Sequence, residues 1–175
     1  MPIISGGQVM PGSARVLTVA GAPVAGTNTV QTVTIGGTPT GGTFRLTCEG
    51  MTTAAISWNA TNATLLAAVD AALEALPVVG TGGVALAATT LTAGIGAFTV
   101  TFNGANVGLR PVAVMTVAEN ALTGTTPTVA VALTTPGVEA TYRGAATGQP
   151  LLRTDTGVMH TNTSTTAQAP TWTPV

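Results

Sequence analysis

Apolar and polar residues alternate with a period of two through much of the middle of the chain. In residues 43–48 and 98–102 every second position is apolar, and the positions between them are threonine or arginine. This alternation is typical of strands that bury one face. By the same criterion, strands are predicted within residues 14–19, 30–35, 43–48, 53–58, 84–90, 96–103, 111–118 and 127–134. A Pro- and Gly-containing turn at 38–42 predicts a hairpin between the strands at 30–35 and 43–48.

One segment has the spacing of an amphipathic helix instead. Its apolar residues recur every three or four positions, with Asp70 and Glu74 on the opposite side. Thr61 and Asn62 offer capping side chains at its start, and Pro77 ends it. The pattern predicts a helix at about 61–76, with an apolar stripe of Leu65, Leu66, Val69, Leu73 and Leu76.

The spacing of these elements predicts a mainly β protein with three segments. Residues 28–137 contain the periodic strands and the helix, and we expect them to form a β-sandwich or an α+β core. Residues 1–27 are broken by Gly and Pro and predict an extended arm. Residues 138–175 predict a linker followed by a C-terminal β-hairpin tail, too short to hold a core alone.

The composition of the chain argues against several classes of function. Hydrophobic residues make up 45% of the 175 residues, but charged residues only 6%, about a quarter of the usual share. The five basic residues are isolated arginines and the net charge is −1, so we expect no nucleic-acid binding. Apolar runs end well before the roughly 18 residues of a membrane span, and no secretory signal is visible, so we expect no membrane association. Such low charge suits surfaces that become buried in an assembly.

The residues that could carry chemistry are few and scattered. His160 is the single histidine, and Asp155-Thr-Gly157 matches the short core of an aspartic protease loop. That chemistry needs two such loops, and Asp and Gly are also ordinary turn residues. One cysteine, Cys48, one histidine and six scattered carboxylates make no ligand cluster. We therefore expect no enzymatic activity, no catalytic residues, no metal site and no cofactor.

Two stretches resemble known viral proteins. The first resembles a module common in structural proteins of actinobacterial tailed bacteriophages, and it runs through residues 30–35, 41–47, 52–61, 71–76 and 98–102. The second is the tail, where a hairpin, Asn162-Thr-Ser-Thr and Ala169-Pro-Thr-Trp172 are similar to the C-terminal ends of phage head decoration and head-fibre proteins. Neither stretch carries an active-site motif.

The resemblance implies a capsid decoration protein. Such a protein is made in the bacterial host cytoplasm, lies on the outer surface of the phage head, and clamps neighbouring copies of the major capsid protein. The alternatives are a tail-tube, head-fibre or baseplate subunit, and an Ig-like module that binds carbohydrate or a cell surface. With 3% aromatic residues the chain offers few side chains for a carbohydrate groove.

We expect the contacts of such an assembly at the two ends of the chain. Apolar side chains in segments too short to bury them usually mark an interface. The ends should also mediate self-association, and a trimer fits the threefold positions of a capsid; a twofold dimer and a capsid-clamped monomer stay open. The candidate interface residues are Arg15, Val16, Leu17, Leu151, Leu152, Met159 and Trp172.

Overall fold

The computed structural model describes residues 16–165 and 169–175, together with the backbone of two short strands at 4–5 and 8–9. The chain divides into two compact units. The core unit is Gly26–Glu139, and the terminal unit combines Met1–Ala25 with Ala140–Val175. Each unit is described here by itself.

The elements of the described residues are short strands, two very long strands and a helix. In chain order they are β1 (Ile4–Ser5), β2 (Gln8–Val9), β3 (Leu17–Val19), β4 (Val30–Cys48), β5 (Met51–Thr52), β6 (Ile56–Ser57), α1 (Asn62–Glu74), β7 (Val84–Ala88), β8 (Gly96–Phe102), β9 (Thr116–Thr135), β10 (Pro150–Arg153), β11 (Met159–Asn162) and β12 (Trp172–Pro174).

The sheet of the core unit is organised around β4, which spans 19 residues. Its first part pairs with β8, and β8 pairs with β7 on the far side. Its last part pairs with β5 and β6 on that same side, while β9 runs antiparallel along almost its whole length on the other side. All of these pairings are antiparallel, so the connecting segments can be short.

The predicted hairpin at 38–42 is wrong, because β4 continues through this segment as one strand. The Gly pairs form irregularities in the ladder, with register shifts between Gly36 and Thr38 and between Pro39 and Gly41. A bulge adds a residue and so changes which positions face inward. Buried residues accordingly have odd numbers before the irregular segment and even numbers after it: Gln31, Val33, Ile35, then Phe44, Leu46 and Cys48. Both ends of β4 therefore face one core.

Gly42→Ala should destabilise the core unit more than Gly50→Ala. Both glycines have a positive φ, +88° and +81°, so alanine pays a similar conformational cost at each. A Cβ at Gly42 would lie 2.3 Å from the carbonyl oxygen of Ala121 on β9, whereas nothing lies within 4 Å at Gly50. We expect about 1 kcal/mol for Gly50→Ala and at least about 1 kcal/mol more for Gly42→Ala, measured by urea denaturation. Equal costs would mean that β9 does not approach β4 this closely.

The helix α1 supplies the second layer of the core unit. Leu65, Val69 and Leu73 are fully buried against the inner face of the sheet, as the periodicity predicted. The predicted cap at Thr61 is wrong, since its side chain makes no capping hydrogen bond. Instead, Asn62 ties the start of the helix to the loop before β8: its amide nitrogen donates to the Leu91 carbonyl and its oxygen accepts from the Gly94 N–H.

The terminal unit joins both ends of the chain in one four-stranded sheet. The strand order is β12-β11-β10-β3, and β3 pairs with β10 in parallel. The sequence predicted a separate arm and tail, because pairing between residues more than a hundred positions apart leaves no local pattern. Within this unit Leu151 lies opposite both Leu17 and His160, and it is fully buried.

The described residues therefore form a mainly β protein with one amphipathic helix, as the sequence predicted. No helix in the described part of the chain is long and apolar enough to cross a membrane.

Candidate interaction surfaces

The predicted apolar patch of the tail does not form as expected. Leu151 is fully buried within the terminal unit, because β3 and β11 flank it on both sides. Leu17, Leu152, Met159 and Trp172 are half-buried, and Val16 remains 47% exposed. Arg15 lies outside the described residues. Five of the candidate interface residues are thus wholly or partly buried within the terminal unit: Leu17, Leu151, Leu152, Met159 and Trp172.

Trp172 forms part of an aromatic pair. Its indole Nε1 donates to the Thr141 carbonyl oxygen at 3.0 Å. Its ring meets that of Tyr142 edge to face, with centroids 6.5 Å apart, and the Tyr142 hydroxyl donates to the Thr18 carbonyl. Edge-to-face packing of this kind adds to the gain from burial. The pair connects β12, the segment after residue 140 and β3.

Asn162 has a structural role in the loop that resembles phage proteins. Its side chain is fully buried. The amide nitrogen donates to the carbonyl oxygens of Ala145 and Ala146, at 2.9 and 3.1 Å. The amide oxygen accepts from the N–H groups of Ser164 and Thr171, both at 3.0 Å. One side chain thus satisfies four backbone groups, which fixes the loop against the segment before β10.

The structure places Asp155 in an exposed turn and His160 in the interior of the terminal unit. Asp155 is exposed in the turn between β10 and β11, and the Arg153 guanidinium beside it lowers the pKa of its carboxyl group. The Arg153 Nη2 and Asp155 Oδ2 atoms are 2.7 Å apart. His160 is buried, and among the described residues neither ring nitrogen has a hydrogen-bond partner. A catalytic base would instead need a group to orient it.

Metal binding and cysteine reactivity are the other two kinds of chemistry to consider. Within the described residues, no three His, Cys, Asp or Glu side chains come close enough to hold a metal ion. Cys48 is buried, and burial raises the pKa of its thiol to about 11. The thiolate, which is the reactive form, is therefore scarce at neutral pH.

The most distinctive surface of the core unit is the open face of its sheet, opposite α1. Residues directly paired across strands lie on the same face. Over β7, β8, the first part of β4 and the last part of β9, the register brings alanine and threonine together on this face, with Val30 beside Thr101. We call this the Thr/Ala face. It consists of Ala85 and Ala87 on β7, Ala97, Thr99 and Thr101 on β8, Thr32 and Thr34 on β4, and Ala130 and Ala132 on β9.

The strand β9 borders this face and is an edge of the sheet. Within the described part of the chain it pairs with β4 alone, so its other side presents backbone groups without a neighbouring strand. Its charged residue, Glu119, already accepts a hydrogen bond from Arg45 at 2.9 Å. The alternation that places Thr99 and Thr101 on one face of β8 was visible in the sequence, but which strand lies at the edge was not.

Comparisons with known proteins add little. No protein-family model matches the chain, and no curated protein matches it. A solved structure from Mycobacterium phage Patience is similar over 85% of this chain, with 16% sequence identity and a TM-score of 0.41. The match spans 55% of that phage chain. At this level of similarity no function follows from it.

Proposed function

We propose that the protein is a structural component of a phage virion, most specifically a capsid decoration protein that binds the major capsid protein on the outside of the head. The sequence resemblance to phage structural and head decoration proteins suggests this class. The observation that carries the proposal is the Thr/Ala face: nine small, uncharged side chains spread over four adjacent strands.

Such a face is suited to lie against another protein. Charged groups must be stripped of water before they can be buried, and charged residues are accordingly depleted from the centre of interfaces. Threonine and alanine side chains carry little of that cost, and their small size lets a partner approach the sheet closely. Arg45 and Glu119 lie further along the same side of the sheet, paired with each other. A free-standing domain has no comparable reason to leave the nine positions of the Thr/Ala face without charge.

The terminal unit suits self-association at threefold positions of the head. Val16 is exposed beside β3, and Leu152, Met159 and Trp172 keep part of their surface accessible. Because both ends of the chain contribute to one sheet, we propose that they form one contact surface instead of the two independent arms that the sequence suggested.

Thr99→Glu should weaken binding to phage heads that lack the protein at least tenfold. Thr99 is half-buried near the middle of the Thr/Ala face, so the new carboxylate would have to lose its water in the complex; a tenfold loss corresponds to about 1.4 kcal/mol. Thr81→Glu is the matched control, because Thr81 is exposed in the loop before β7 and is not one of the residues of the face. Co-sedimentation measures binding, and heat disruption of the heads with and without the protein measures stabilisation.

The outcomes separate the candidate functions. Binding to heads that Thr99→Glu weakens and Thr81→Glu leaves unchanged supports capsid decoration through this face. Association with purified tails or fibres and not with heads would favour a tail-tube, head-fibre or baseplate subunit. Association with neither, together with binding to host-surface glycans, would favour the Ig-like binding module and contradict the proposal.

A further inference from the structure

The free edge of β9 is unevenly protected against pairing with another strand. Natural proteins block exposed edges with charges, prolines, bulges or short strands. The first part of β9 has such features, namely Glu119, Gly124, Pro127 and several register shifts against β4. From Thr128 to Leu133 the ladder with β4 is regular, and the residues are neither charged, glycine nor proline.

The unprotected segment, together with Thr134 at the next register shift against β4, is nearly a palindrome. Residues 128–134 are Thr-Val-Ala-Val-Ala-Leu-Thr, which is the same in both directions except that Val129 corresponds to Leu133. A twofold interface uses the same surface on both subunits, so it must be complementary to itself. An antiparallel pair of such segments about Val131 would set Ala130 opposite Ala132, Val129 opposite Leu133 and Thr128 opposite Thr134.

We infer that β9 is a dimerisation edge, where a second copy of this chain adds its own β9 in antiparallel orientation about a twofold axis at Val131. Residues that face each other in this register have the same parity, so the inner faces of the two sheets lie on one side. The two Thr/Ala faces would then form one continuous surface. No like charges meet, since the paired segments contain none. This inference needs only the chain itself and does not depend on a virion role.

A charge exchange tests the pairing and its register together. In the proposed dimer, Ala130→Lys with Ala132→Lys would set lysine opposite lysine twice, and we expect the mass of the assembled species to fall by half in analytical ultracentrifugation. Ala130→Glu with Ala132→Glu should do the same. An equimolar mixture of the two variants should restore the original mass, because each lysine then faces a glutamate.

A matched control lies on the opposite edge of the same sheet. Ala85 and Ala87 on β7 are exposed, belong to the same Thr/Ala face, and alternate in the same way. Ala85→Lys with Ala87→Lys should leave the mass unchanged. Circular dichroism of every variant checks that the sheet is intact. An unchanged mass for the β9 variants, or a mixture that fails to reassemble, would overturn the inference.

Cross-linking gives a second measurement that leaves the charge of the edge unaltered. A mixture of Ala130→Cys and Ala132→Cys chains should form disulfide-linked pairs under mild oxidation, because the two cysteines are directly opposite. Either variant alone should not, since the equivalent cysteines are then diagonal and about 7–8 Å apart, beyond disulfide range. The native Cys48 is buried and does not compete. Equal cross-linking in all three samples would contradict the register.

Discussion

Phe98→Ala should lower the free energy of unfolding of the core unit by about 3–5 kcal/mol. Phe98 is fully buried on β8, between Val33 on β4 and Ala88 on β7. Its removal leaves a cavity in a core whose other walls are held by hydrogen-bonded strands, so the site can collapse only partly. Denaturant unfolding followed by Trp58 fluorescence measures the loss, in a Trp172→Phe background so that the terminal unit does not contribute.

The control for this substitution is the next residue along the strand. Thr99→Ala removes atoms from the Thr/Ala face instead of the core, and we expect a change within about 0.5 kcal/mol in either direction. Similar losses at both positions would mean that the two faces of the sheet do not differ in burial as the structure has them. The same result would also remove the basis for the Thr/Ala face as a binding surface.

Asn162→Asp should destabilise the terminal unit by about 3 kcal/mol or more at neutral pH. The substitution replaces the amide nitrogen, which donates to the carbonyls of Ala145 and Ala146, by a negatively charged oxygen that faces the same two acceptors. The carboxylate is also buried away from water. Trp172 fluorescence in a Trp58→Phe background reports unfolding of this unit.

The effect should shrink as the pH falls. Burial and the two facing carbonyl oxygens raise the pKa of the introduced carboxyl group in the folded state above its unfolded value. Such a group favours the folded state below its unfolded pKa and loses that contribution as the pH rises through the folded value. The variant should therefore recover stability on acidification, relative to the unchanged protein. Asn103→Asp, at an exposed position in the core unit, adds the same charge and should have little effect at any pH. If the difference in unfolding free energy between Asn162→Asp and the unchanged protein did not depend on pH, the side chain at 162 would not be buried.

The central strands were predicted well, while their continuity was not. Alternation located the inward-facing residues of β4 and β8 correctly, because a half-buried strand must repeat with a period of two. The Gly and Pro residues at 36–42 equally suit a turn and a bulged strand. Pairing with β9 decides between these two structures. β9 lies about 80 positions further along the chain and pairs with β4 on both sides of the bulge, so β4 continues as one strand.

The candidate interface residues also show that local sequence does not reveal pairing with distant segments. An apolar side chain such as Leu151 in a short hairpin predicts an interface, but the local sequence does not say whether the partner is another chain or a distant part of the same chain. Here β3 supplies that partner through parallel pairing. The sequence pointed to Asn162 only as part of the stretch that resembles phage proteins, since its four hydrogen bonds depend on segments that only the folded unit brings together.

The sequence by itself determined the class of the protein: mainly β, with an amphipathic helix, very little charge and central strands in which apolar and polar positions alternate. These features follow from local periodicity and composition, which each segment carries independently. Only the tertiary structure decided that both ends share one sheet, that β4 is a single bulged strand, and that β9 lies at its edge. These depend on strand pairings between residues far apart in the chain, where backbone hydrogen bonds are the same for every residue type and leave little trace in the sequence.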